Sequence, residues 1–199
     1  ARALASVPLA AMPAASRPAF ARAWDELLAS ERVAAERPEA HVNIADLLAA
    51  RGDRAGAEAA FRAALARDAG FLPALVNFSA LEEARGRTEA AEALLLRAAS
   101  SHPAMADPHY ALALLRIRQS RIADALEPAT TAATLAPGDP RNAYLQALTL
   151  QRLDRRTEAM AALAGLLAQH PRHRESLVAL AHMQREAGDL VEAERNASA

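Results

Sequence analysis

Cysteine is absent from the 199-residue chain. Its absence excludes disulfides, thiol catalysis, zinc–cysteine sites and covalent haem attachment within this stretch. It leaves the compartment open, periplasmic or cytoplasmic. Lysine is absent too, so every basic side chain is an arginine, a bias that reads as GC-rich bacterial genome composition rather than as function. Aromatic residues make up 4% of the chain and there are seven glycines, which suits helices packed closely together. No apolar run reaches the length of a membrane span, so no membrane insertion is expected. The formal net charge of −1 gives no bulk attraction to nucleic acid or to an anionic surface. There is no GxSxG, P-loop, HExxH or glycine-rich phosphate cradle. His170 and His173 flank Pro171 and His102 precedes Pro103, but no carboxylate pair stands near them in sequence, which makes a poor metal site. No enzyme, cofactor or metal is expected from these residues, an enzyme working in a groove with a ligand held among His170, His173 or His182 being the remotest alternative.

What the chain does have is a strict repeat. Ala57, Ala91, Ala125, Ala159 and Ala193 follow one another at steps of 34 residues. A second column, Ala45, Ser79, Ala113, Ala147 and Ala181, runs in the same register, also with small residues only. Small side chains let two helix backbones approach closely, so the columns place one contact point on each of two helices per repeat. Gly52, Gly86 and Gly188, with Ser120 and Asp154 in the middle repeats, mark a chain reversal between those helices. Pro103, Pro137 and Pro171, with Ala69 in the first repeat, mark the hand-over to the next unit, since proline cannot continue a helix interior. Self-similarity at such a period signals a repeat architecture.

The pattern resembles the tetratricopeptide repeat, most closely in RPEAHVNIADLLAARGDRAGAEAAFRAALARDAG from Arg37. There Ala45, Gly52, Ala57, Phe61 and Ala64 occupy the family's small, glycine, alanine, aromatic and alanine positions. The family's first-helix tryptophan is replaced by His41, Leu75, His109, Ala143 and Leu177. The resemblance implies an all-α fold, a right-handed α-α superhelix of antiparallel helix pairs. The expected organisation is an extended Ala/Pro-rich connector over 1–15 and a lone amphipathic helix over 16–36, a degenerate zeroth repeat. Full repeats follow over 38–71, 72–105, 106–139 and 140–173, with a partial fifth over 174–199. In the lone helix Ser16 is the candidate N-cap, Phe20, Trp24, Leu27 and Leu28 form one apolar stripe, and Trp24 is expected to pack on the first helix of repeat one. Pro128 should kink the second helix of repeat three on its convex face. The opening residues 2–16 have the look of a signal peptide, but Pro8 and Pro13 interrupt the apolar region. The end, EAERNASA, reads as a repeat cut short, with Leu190 beside a face open to self-association.

In the tetratricopeptide family the first helix of each repeat lines the concave face, and the period stacks equivalent side chains into rows. One row is Val42, Val76, Tyr110, Tyr144, Val178. Its neighbours are Asp46, Ala80, Leu114, Leu148, His182; then Asn43, Asn77, Ala111, Leu145, Ala179; then Ala49, Glu83, Ile117, Gln151, Arg185. The middle of the array is apolar: Tyr110, Leu114, Ile117, Tyr144, Leu145 and Leu148. An apolar patch rimmed by polar groups marks a binding groove, and tyrosine is a rigid anchor with a polar tip. The expected partner is a protein or peptide segment, placed in register by Asn43, Asn77, Asp46 and Arg185. The family's carboxylate clamp for chaperone tails is not carried over. Asn77 matches one of its positions, but Val42, Asp46, Asp107 and Ala111 stand where cations or an amide are needed.

A narrower likeness covers Arg17 to Ala57. A lone helix followed by RPEAHVNIADLLAARGD is similar to the C-terminal region of large bacterial proteins that join a multihaem cytochrome region, HEAT-like helices and these repeats. It implies a periplasmic accessory or docking role beside a redox centre lying outside this chain. The leading expectation is a non-catalytic protein-binding scaffold.

Overall fold

The computed structural model describes residues 12–34, 36–186 and 188. Among them ten α-helices follow one another with no strand: α1 (Arg17–Val33), α2 (Pro38–Ala50), α3 (Arg54–Arg67), α4 (Leu72–Ala84), α5 (Thr88–Ser101), α6 (Ala106–Arg118), α7 (Ile122–Leu135), α8 (Pro140–Arg152), α9 (Arg156–Gln169) and α10 (Arg174–Glu186). The chain divides into two compact units, Ala1–His102 and Pro103–Ala199.

The small columns are the helix contact points. Ala45, Ala57, Ala91, Ala113, Ala125, Ala147 and Ala159 have no exposed surface, and Ser79 is buried beside them. Ala181 is half-buried, and Ala193 lies outside the described residues. The reversals share one hydrogen bond. Asp53 N donates to Leu48 O (2.9 Å), Arg87 N to Glu82 O (2.9 Å), Arg121 N to Arg116 O (2.9 Å) and Arg155 N to Leu150 O (3.0 Å). This six-to-one bond closes a helix end when the intervening residue is left-handed. Gly52 (φ 81°) and Gly86 (φ 74°) supply that conformation freely, whereas Ser120 (φ 61°) and Asp154 (φ 58°) hold it against a Cβ clash.

In unit 1 an aromatic core joins α1 to α4. Phe20 stacks on Trp24 at 6.1 Å and Phe61 on Phe78 at 5.5 Å. Trp24 is buried in the cluster that includes Val42, Ile44 and Leu47 of α2, with the Arg51 guanidinium 4.7 Å from its ring centroid. An ion network around two buried carboxylates, Glu58 and Glu82, ties α3 to α4 and its following turn. Glu58 accepts from Arg85 and from Arg87 Nη2 (2.9 Å), and lies 2.5 Å from Arg62 Nη2. Arg87 Nη2 also donates to Glu82 (2.6 Å). These arginines, Arg87 first, hold the Glu58 carboxyl at about 2, against the opposing effect of burial.

Unit 2 has an aliphatic core. Ala147, Leu150, Ala159, Leu163, Leu180 and Met183 form one cluster. Ala113, Ala129 and Leu145 form another, with Tyr110, Leu114 and Ile117 packed on it.

Three expectations are corrected. Residues 1–11 of the connector lie outside the described residues, and its end is not extended. Ala14–Ser16 form a 3-10 turn running directly into α1, closed by Ser16 N donating to Pro13 O at 2.9 Å. The first helix stops at Val33, because Pro38 keeps Arg37 extended (φ −97°, ψ 136°) and a turn must precede it. Pro128 is fully buried, not on an outer face, and α7 runs unbroken through it. The Asp124 carbonyl that proline deprives of an amide partner accepts instead from Arg116 Nη1 at 2.9 Å. Leu145 is only 6% exposed, packing mainly into the core and reaching the groove with its edge alone. Leu190, the expected self-association point, lies outside the described residues.

Candidate functional site

Within unit 2 the first helices of successive pairs, α6, α8 and α10, line two adjoining depressions. One, of about 380 Å³, is bounded by Tyr110 and Leu114 from α6, Arg141, Tyr144, Leu145 and Leu148 from α8, and His173 and Glu175. The other, of about 520 Å³, lies along Tyr144 and Gln151 of α8 and Arg174, Glu175, Val178, Ala179 and His182 of α10. Tyr144 and Glu175 belong to both. The 34-residue period turns the same side of each first helix toward the groove, so residues far apart in sequence meet there.

Tyr144 is half-buried, its ring tilted 60° against His173 at 5.8 Å. Burial, and secondly the Glu175 carboxylate, raise its phenol above the usual range. Ser176 N donates to His173 Nδ1 (3.3 Å), and Ser176 Oγ lies 2.8 Å from the same nitrogen. The imidazole thus caps α10, with Nδ1 accepting and Nε2 facing Glu175 at 3.6 Å. Arg141 lies over the Tyr110 ring at 5.7 Å and donates to both oxygens of Asp139, by Nε to Oδ1 at 3.1 Å and by Nη2 to Oδ2 at 2.6 Å. That pairing holds the Asp139 carboxyl below the ordinary range. The guanidinium is fixed at the rim with its face on the tyrosine. Such a surface can hold an apolar side chain and offer hydrogen bonds around it.

Tyr110, Leu114, Tyr144, Leu145 and Leu148 meet in one depression, and Ile117 packs on the core beneath it. Arg185 is exposed on α10 and bounds neither depression. Asn43, Asn77 and Asp46 lie in unit 1, where they engage their own chain. Asn77 Nδ2 donates to the Asp46 carboxylate at 3.1 and 3.2 Å, and Asn43 Nδ2 to Glu31 at 2.9 Å. Arg141, His173 and Glu175 were absent from the expected site. Two of them were legible, because Asp107, Arg141 and Glu175 form a column three residues before the tyrosine row. His173 enters through its capping role, which the repeat register does not show. Among the described residues no group of three or more His, Cys, Asp or Glu is placed to hold a metal, and no helix is long and apolar enough to cross a membrane.

Paired helices, small-residue contacts and left-handed turns define a tetratricopeptide-repeat solenoid, an architecture of protein-binding scaffolds. The tetratricopeptide repeat family model matches residues 80–140. In sequence the chain is 34% identical over 163 residues to cellulose synthase operon protein C of Xanthomonas axonopodis pv. citri (strain 306). The match covers 76% of this chain and 10% of that protein, so the chain spans about a tenth of its length. In structure it is similar to Pseudomonas aeruginosa pilF, at a TM-score of 0.71 and 20% identity, over 91% of this chain and 82% of that one. MamA follows at 0.69 and 17%, over 78% and 91%. YrrB, a tetratricopeptide-repeat protein with an unusual peptide-binding site, matches at 0.64 and 18%, over 81% and 83%. At these identities the structural likeness concerns the fold alone. None of these relatives is named as a multihaem protein, so the likeness to cytochrome-linked repeats gains no support.

Proposed function

We propose that the chain is a non-catalytic scaffold that docks a segment of a partner protein in the unit 2 groove. The observation that carries this is the meeting of Tyr110, Leu114, Tyr144 and Leu148 around one depression, with polar groups at its edge. In a packed repeat these side chains would be expected to seal against a neighbouring helix, yet all four keep part of their surface open. Proteins of this repeat class are typically non-catalytic, and the peptide-binding site of YrrB supports a peptide as the kind of ligand. The 34% identity to cellulose synthase operon protein C supports a second, compatible reading, in which the chain serves as one repeat segment of a much longer protein of that kind.

Affinity capture from a lysate of the source organism, wild type against Tyr110→Ala/Tyr144→Ala, tests the groove, with circular dichroism confirming equal helicity. A protein retained by wild type and lost by the double variant is the expected result. Equal retention by both overturns the groove as the docking site.

A further inference from the structure

We propose that the occupant of the groove is an extended peptide with an apolar side chain seated between Tyr144 and Val178 and with acidic residues on either side that pair with Arg174 and Arg185. The inference rests on the docking reading above and adds the chemistry of the partner. Arg174, Val178, His182 and Arg185 succeed one another on α10 at steps of four, four and three residues, so they share one helix face. Val178 is 61% exposed, an apolar side chain standing open between cations.

The charges on this helix are unevenly met. Glu186 lies 3.2 Å from Arg156 and 3.7 Å from His182, and Glu175 faces His173 at 3.6 Å. Across the groove Arg141 is committed to Asp139. Arg174 and Arg185 are exposed, and their guanidinium groups have no ion pair or hydrogen bond among the described residues. Arg174 and Arg185 thus set two positive charges on this face against the one exposed carboxylate of Glu175, and a ligand that complements the excess brings carboxylates. Eleven residues of helix separate the two arginines by roughly 16 Å. An extended chain advances about 3.3 Å per residue, and arginine side chains are long, so the acids stand about four to six residues apart with the apolar residue between. The Gln151 side-chain amide and the Tyr144 hydroxyl, also without a hydrogen-bond partner among the described residues, line the groove and are placed to meet the peptide backbone of such a segment.

The test screens the whole chain against a displayed library of random peptides about twelve residues long. Enriched peptides are then titrated by fluorescence anisotropy on wild type, Tyr144→Ala, Arg174→Glu/Arg185→Glu and the milder Arg174→Gln/Arg185→Gln, each checked for helicity. The expected peptides carry an apolar residue flanked by acids. Their affinity should fall about fivefold or more on charge reversal, since two exposed pairs become repulsions. It should also weaken with salt on wild type. Binding lost in Tyr144→Ala but unchanged by both arginine variants overturns the acidic partner and leaves the docking reading standing. Binding indifferent to all variants, or no enriched peptide, overturns both.

Discussion

The two units solve one packing problem with different chemistry. At matching register Asp46 and Asn77 of unit 1 correspond to Leu114 and Leu145 of unit 2. In unit 1 the pair is polar and hydrogen-bonded to itself. In unit 2 it is apolar and borders a depression of about 380 Å³. The same exchange recurs on the second helices, where Glu58 and Glu92 give way to Leu126 and Met160. All four phenylalanines and the one tryptophan fall in unit 1, and both tyrosines in unit 2. Unit 1 thus commits its polar and aromatic groups to internal contacts, while unit 2 leaves tyrosines and arginines facing outward. A shared backbone repeat does not imply a shared role for its rows.

The largest effect that separates the units is aromatic. Phe61 is 1% exposed and stacked on Phe78, so Phe61→Ala should cost about 3–5 kcal/mol, against about 2–5 kcal/mol for Leu163→Ala in the aliphatic core of unit 2. Urea denaturation followed by circular dichroism measures both. A loss below about 1 kcal/mol for Phe61→Ala would show that the ring contributes little to holding unit 1 together.

A pH series sharpens the contrast next. The Glu58 carboxyl titrates at about 2 when folded, against an ordinary value of 4.5. A depressed folded pKa gives stability that is complete above the unfolded value and is lost as pH falls toward the folded one. Glu58→Gln should therefore cost about 1–3 kcal/mol near neutrality, since it removes a hydrogen-bonded charge from the network. The gap between variant and wild type should close between about pH 5 and about pH 2. A gap constant over that range would show that the network does not act through the charge of Glu58.

The smallest effect lies in the turns. Gly52→Ala forces a Cβ into left-handed backbone with nothing within 4 Å to relieve or worsen it, at a cost of about 1–2 kcal/mol. Ser120→Gly and Asp154→Gly relieve that strain in unit 2 and should each stabilise by up to about 1 kcal/mol, less the entropy glycine loses on folding. Thermal melts of the three variants check the opposite signs.

The repeat was legible because its constraints are local. Ala57 and Ala125 admit only small side chains at a helix contact, Gly52 supplies a left-handed turn, and Pro103 stops a helix, each whatever partner the chain meets. The aromatic row Tyr110 and Tyr144 could be read from the same register, as could the Asp107, Arg141, Glu175 column beside it. Hidden were the places where a distant group changes a residue's role. Pro128 was expected on the convex face, yet it is buried, and Arg116 supplies a donor to the orphaned Asp124 carbonyl. Leu145 and Leu148 are three residues apart in one helix, and only packing against Ala113 and Ala129 sinks the first into the core.

The sequence by itself determined the helices, their pairing and the rows of equivalent side chains, because periodicity and backbone sterics act within a single repeat. Only the tertiary structure decided which rows are satisfied internally and which stay open. That outcome depends on whether a neighbouring helix brings a partner within hydrogen-bond reach, as Asp46 does for Asn77 and as no described residue does for Arg174.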